Sequence, residues 1–142
     1  MRGLKIGFIV NPIAGMGGRV GLKGTDDVLE KAIALGAKPV APKRAKIFLK
    51  KIKERKLTAE NEVITCPGLM GEEETRKVGI DAEVLPMRRK ERTTAEDTKR
   101  AVAMLISEKY NVDLIVFVGG DGTARDIHDA LEEKASETAV LG

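Results

Sequence analysis

Three glycines surround one carboxylate near the end of the sequence, in the segment Gly119, Gly120, Asp121, Gly122 and Thr123. An apolar stretch precedes this segment, and a helical pattern over residues 124–135 follows it. Glycines let a phosphate approach the backbone closely, and the N–H groups at a helix start attract anions. The segment is therefore typical of a phosphate-binding turn, in which the carboxylate can serve as a base or as the partner of a metal ion.

A second glycine-rich segment begins at Asn11, directly after a predicted strand over residues 4–10, and contains Gly15, Gly17 and Gly18. It lacks the Gly-Lys-Ser/Thr of a P-loop, and Val20 stands where a dinucleotide fingerprint needs its last glycine. The segment is either a flexible connector or a loop that faces a ligand. Its many glycines favour the ligand-facing loop.

Apolar stretches alternate with amphipathic ones along the chain. We predict strands over residues 4–10, 62–66, 82–85, 113–118 and 138–141, and helices over residues 25–35, 42–55, 72–78, 94–109 and 124–135. Of these helices, the one over 94–109 is the longest. The alternation predicts a three-layer α/β/α domain with a mainly parallel sheet and helices on both faces. Ligands bind such sheets at the carboxyl ends of the strands, so the loops after Val10, Cys66 and Val118 should gather at one edge.

The composition is that of a globular protein, with 142 residues, 42% hydrophobic and 33% charged. The length suits a single domain, and no apolar run is long enough to span a membrane. The single cysteine excludes an intramolecular disulfide, which fits a cytoplasmic protein. The sequence has no glutamine and three asparagines, a bias typical of proteins from organisms that grow at high temperature.

Several charged or reactive residues have a plain structural explanation. The lysines of residues 42–56 lie on the solvated face of a helix; an anion-attracting surface is the alternative, and few aromatic residues argue against nucleic-acid binding. Acidic residues 72–74 suit a helix N-terminus. His128 is interpreted as a bystander and Cys66 as a small buried residue, and no zinc site is expected. Arg125 either contacts a phosphate or forms a surface ion pair.

The segment from Gly119 to Thr123, together with the upstream loop that begins at Asn11, resembles the NAD kinase and diacylglycerol kinase superfamily. Within it, the sequence is similar to the archaeal and bacterial ATP-NAD kinase-like branch. The likeness extends over four motifs in order, at residues 11–26, 67–72, 94–98 and 119–127.

This resemblance implies phosphoryl transfer from ATP, or from polyphosphate, to the ribose 2′-hydroxyl of NAD, with Mg²⁺. It also implies that Asp121 is the base for that hydroxyl. The residues that it implies for the nucleotide site are Asn11, Gly15, Gly17, Gly18, Thr94, Asp97, Gly119, Gly120, Gly122, Thr123 and Arg125.

These kinases have a second, mainly β domain that completes the NAD pocket, and the 142 residues here stop before it. We expect a single truncated domain over residues 1–142 that phosphorylates NAD poorly by itself. Two alternatives stay open: a nucleotide-binding or regulatory module without catalysis, and a kinase for a lipid or other hydroxyl acceptor, since phosphofructokinases carry a similar turn. An exposed sheet edge would favour a homo-oligomer.

Overall fold

The computed structural model describes residues 3–13, 41–55, 61–89 and 93–142. In chain order, these ranges contain β1 (Lys5–Val10), α1 (Ala41–Glu54), β2 (Glu62–Thr65), α2 (Glu72–Val78), β3 (Glu83–Val84), α3 (Ala95–Leu105), β4 (Leu114–Val118), α4 (Asp121–Glu133) and β5 (Ala139–Leu141). A short 3-10 turn over Gly68–Met70 precedes α2. The helix predicted over residues 25–35, and with it Gly15, Gly17 and Gly18, lies outside the described residues.

The five strands form one sheet in the order β3-β2-β1-β4-β5, and every described pair of strands is parallel. The central strand β1 pairs with β2 on one side, where Phe8 lies opposite Thr65, and with β4 on the other, where Val10 lies opposite Val118. From β1 the chain continues to β2 and β3 at one edge of the sheet, and from β4 it continues to β5 at the other edge. The carboxyl ends of these two neighbours therefore form the switch point of the topology.

Both faces of the sheet are covered, which confirms the predicted three-layer α/β fold. On one face, Phe8 and Val10 pack with Ala45 and Leu49 of α1. On the opposite face, the buried side chains come from three strands and from α3 and α4: Ile9, Ile64, Ile115, Val102, Leu105, Ile127 and Leu131. Successive strand residues point to opposite faces, and β1 and β4 are apolar over most of their length because both of their faces are covered.

Two helix boundaries differ from the predicted ones by three residues or more. Helix α3 ends at Leu105, four residues early, because the Val112 N–H donates to the Leu105 carbonyl oxygen (3.0 Å) and turns the chain toward β4. It has 11 residues and is therefore shorter than α1, which has 14, so the prediction that it is the longest helix was wrong. Helix α4 begins at Asp121 rather than at residue 124.

The early start of α4 has a local cause. Gly120 is extended at the helix N-cap, and its carbonyl oxygen already accepts the N–H of Ala124 (3.1 Å). The Asp-Gly pair has low helix propensity, which is why the pattern in the sequence placed the start later. The glycine turn is consequently reduced to Gly119 and Gly120, and Asp121 lies in the first turn of the helix.

The end of β2 is fixed to the end of β1 by side-chain and backbone contacts. The Thr65 hydroxyl donates to the Phe8 carbonyl oxygen (2.8 Å). Gly71, with φ of +142°, packs so closely on Thr65 that a Cβ atom there would overlap the hydroxyl. The Glu72 N–H donates to the Cys66 carbonyl oxygen (2.9 Å), which holds the start of α2 at the carboxyl end of β2.

None of the helices described in these ranges is long and apolar enough to cross a membrane.

Candidate functional site

Asn11 joins the ends of β1 and β4 to the start of α4. Its backbone N–H donates to the Val118 carbonyl oxygen (2.9 Å), and its side-chain Nδ2 donates to the Thr123 hydroxyl oxygen (2.9 Å). Its Oδ1 accepts the N–H of Ile13 (3.2 Å). The structure thus brings the start of the first glycine-rich segment into direct contact with the last one, as the sequence predicted for loops at one edge of the sheet.

The two glycines between β4 and α4 have different local surroundings. A Cβ atom at Gly119 would lie 2.5 Å from the Thr123 hydroxyl oxygen and 2.7 Å from the Thr123 Cβ. A Cβ atom at Gly120 would have no neighbour within 4 Å, and its φ of −106° is open to any residue. The fold therefore requires glycine at position 119 but not at position 120, where the missing side chain leaves open space beside the helix start.

The first turn of α4 presents an exposed carboxylate beside backbone donors. Asp121 and Gly122 are exposed, whereas Thr123 is buried beneath them. The first N–H groups of a helix have no partner within the helix, and the macrodipole makes this end electropositive. Such a surface can bind an anion through the backbone while Asp121 accepts a proton or contacts a cation.

Two further residues of α4 are also exposed, Arg125 and His128. Within the part of the chain that the structure describes, Arg125 forms no ion pair, so the surface ion pair considered from the sequence is not observed there. The phosphate contact stays a prediction. The same residues contain no group of three His, Cys, Asp or Glu side chains that could hold a metal ion.

The third loop, between β2 and α2, uses its acidic residues internally. Glu72 accepts the N–H of Gly68 (2.8 Å), and Glu73 pairs with Arg76 (2.6 Å) and with Arg89. These contacts support the structural role predicted for the acidic residues. Cys66 is fully buried, as predicted, and burial raises its pKa to about 12.

Thr94 and Asp97 bond to each other at the start of α3. The Thr94 N–H donates to Asp97 Oδ2 (2.8 Å), and the Thr94 hydroxyl lies 3.2 Å from the same oxygen. A carboxylate three residues into a helix that accepts the N-cap N–H is a standard capping arrangement. This pair therefore fixes the helix start, and its contribution to a nucleotide site stays a prediction.

Glu74 is a buried carboxyl group that no feature of the sequence singles out. Its side chain is 1% exposed, and its Oε2 has no hydrogen-bond partner among the described residues. Burial, partly offset by the backbone N–H groups of Glu74 and Gly71, raises its pKa to about 7. Three consecutive glutamates look alike in the sequence, and only the folded structure distinguishes the buried one.

A comparison with known families finds one match. The model of the family described as ATP-NAD kinase N-terminal domain matches residues 6–141. The matched range includes Asn11, the segment from Gly119 to Thr123, and all five strands apart from the first residue of β1. No curated protein and no solved structure matches the chain.

The Asn11–Thr123 hydrogen bond should appear as an energetic coupling. We expect Asn11→Ala and Thr123→Val each to lower the free energy of unfolding by about 1 kcal/mol, since each removes one partner of a partly buried bond. Urea denaturation of both single variants and the double variant closes a double-mutant cycle, with an expected coupling of about 1 kcal/mol. Strict additivity of the two changes would contradict the assigned contact.

Glu74 should make the protein less stable as the pH rises. Its folded pKa of about 7 lies above its ordinary value of 4.5, so the folded state holds the proton more tightly, and this stabilisation is lost as the pH rises through 7. Between pH 5 and pH 8 we expect a loss of about 2 kcal/mol in the free energy of unfolding.

Urea denaturation at the two pH values measures this loss, and the variant Glu74→Gln should lack it. Glu83→Gln is the matched control, because the same atoms change at an exposed position on β3. The free energy of unfolding of this control should fall between pH 5 and pH 8 as that of the wild type does. An equal fall in Glu74→Gln would show that another group is responsible.

Proposed function

The chain belongs to the ATP-NAD kinase N-terminal domain family, and we propose that it transfers a phosphoryl group from ATP, or from polyphosphate, to the ribose 2′-hydroxyl of NAD. The observation that carries this proposal is the junction of β1, β4 and α4. There the Asn11–Thr123 hydrogen bond holds the exposed Asp121 next to the open space at Gly120.

The phosphates of the nucleotide bind at the start of α4. Gly120 has no side chain that would keep a phosphate from the backbone. The N–H groups of the first turn of α4 can then donate to that phosphate. Phosphoryl transfer depends mainly on positioning and on neutralising charge, so a rigid set of backbone donors suits it. Gly119 contributes indirectly, because it lets Thr123 pack closely enough to fix the turn.

Asp121 accepts the proton of the attacking hydroxyl. As the bond from the 2′-oxygen to the terminal phosphorus forms, the bond from that phosphorus to the bridging oxygen of the donor breaks, and the hydroxyl proton passes to the carboxylate. Asp121 is exposed at the first position of the helix, where both the phosphate donor and the acceptor hydroxyl can reach it.

The family implies Mg²⁺ as the cofactor, and the described residues could hold this ion through a single carboxylate. Magnesium keeps several waters and is commonly held by one or two carboxylates together with substrate phosphates. The exposed Asp121 carboxylate suits that arrangement, and the described ranges offer no protein cage of three acidic or imidazole ligands. When bound with the nucleotide, the ion neutralises charge on the phosphates.

We expect Asp121→Asn to affect turnover more than binding. The amide keeps the shape of the side chain but is a poor proton acceptor, so the formation of labelled NADP from γ-labelled ATP and NAD should fall by about 10²–10⁴-fold. The affinity for MgATP, measured by calorimetry, should fall by about tenfold at most, because the backbone N–H groups of α4 are retained and the carboxylate is only one of the ligands of the ion.

Gly120→Asn is the complementary variant. Asparagine is a favourable N-cap residue, so the free energy of unfolding should be unchanged or slightly higher. The new side chain fills the open space, and MgATP affinity should fall about tenfold or more.

The wild type decides between the proposed functions. If it binds ATP and never forms NADP, the chain is a nucleotide-binding module. If it binds neither ATP nor NAD, the proposed phosphate donor and acceptor are both wrong.

A further inference from the structure

A groove of about 350 Å³ opens beside the glycine turn, between α1 and the ends of β4 and β5. Its lining includes Arg44, Phe48, Phe117, Val118, Gly119 and Leu141. Its size falls within the range of small-molecule sites, about 300–1,000 Å³. Because Gly119 belongs both to the groove and to the turn before α4, the groove is continuous with the proposed phosphate site.

The topology leaves this groove uncovered by the neighbouring helix. The crossover from β4 to β5 places α4 on the opposite face, where Ile127 packs with Ile115. The face that carries Val118 meets α1, which packs over β1. The groove consequently lies at the carboxyl ends of β4 and β5, the end of the sheet at which ligands of open α/β folds bind.

Among the described residues, the lining of the groove is mainly apolar and includes one cation, Arg44. Phe48 is held in place by stacking on Phe8, with ring centroids 6.2 Å apart and an interplanar angle of 10°. Leu141, on β5, contributes a further apolar side chain to the wall. Arg44 is exposed on the first turn of α1, and a guanidinium group stacks well on the face of an aromatic ring.

We propose that this groove binds the planar heteroaromatic ring of the nucleotide whose phosphates lie at Gly120, with Arg44 against one face of the ring. This inference rests on the proposed function, since the phosphates position the ring. The base of ATP and either ring of NAD share the required chemistry, a flat aromatic system joined to phosphate through a ribose.

Calorimetry with MgATP, NAD and magnesium tripolyphosphate tests the proposal, since tripolyphosphate carries the phosphates without a ring. We expect the wild type to bind MgATP about tenfold tighter than tripolyphosphate. Arg44→Ala should weaken the binding of ATP, of NAD or of both by about three- to tenfold and leave tripolyphosphate unchanged. A loss of affinity for ATP alone places the nucleobase of the phosphate donor in the groove, and a loss of affinity for NAD alone places a ring of the acceptor there.

Lys50→Ala is the matched control, because it removes one positive charge from an exposed position on α1 outside the groove. It should leave all three affinities unchanged. Leu141→Ser, which removes an apolar wall without changing the charge, should weaken the same nucleotide as Arg44→Ala.

Three results would overturn the groove assignment while leaving the phosphate site intact: equal affinity for ATP and tripolyphosphate, an equal loss for both in Arg44→Ala, or the same loss in Lys50→Ala. If the folded wild type binds neither ATP nor tripolyphosphate, the phosphate site itself is wrong and the groove assignment fails with it.

Discussion

The hydrogen bond from Asn11 to Thr123 is the constraint on which the candidate site depends. It connects the residue that follows β1 to the first turn of α4, at the point where the order of the strands reverses. Thr123 is buried by this contact and by its packing on Gly119, so the helix must start close to the end of β4. Asp121 is then exposed at the first helical position.

This constraint separates residues that build the site from residues that face a ligand. Gly119 is required by the Thr123 side chain, whereas nothing in the described structure requires glycine at position 120. The acidic residues divide in the same way. Glu72 and Glu73, after β2, are engaged within their loop, whereas Asp121, after β4, has no such contact among the described residues. A glycine or carboxylate that the fold does not explain is the stronger candidate for a role in binding or catalysis.

Much of the fold follows from the sequence, because alternating apolar strands and amphipathic helices admit few arrangements. The position of the ends of β1, β2 and β4 at one edge follows from a parallel sheet. The start of α4 at Asp121 does not, because a tertiary contact of Thr123 overrides the low helix propensity of the glycines. The groove could not be predicted from the sequence either. Arg44 and Leu141 line it together only because of the strand order, which the pattern of the sequence does not determine.

The central claim is that nucleotide phosphates bind at the start of α4, beside the Asn11–Thr123 contact. An NMR titration of the ¹⁵N-labelled chain with MgATP tests it most directly, because each backbone amide reports its own surroundings. We expect the largest shifts at the amides of Gly120, Asp121 and Gly122, together with the side-chain amide of Asn11. Shifts confined to the amino edge of the sheet around Glu62, or no shifts at all, would contradict the claim.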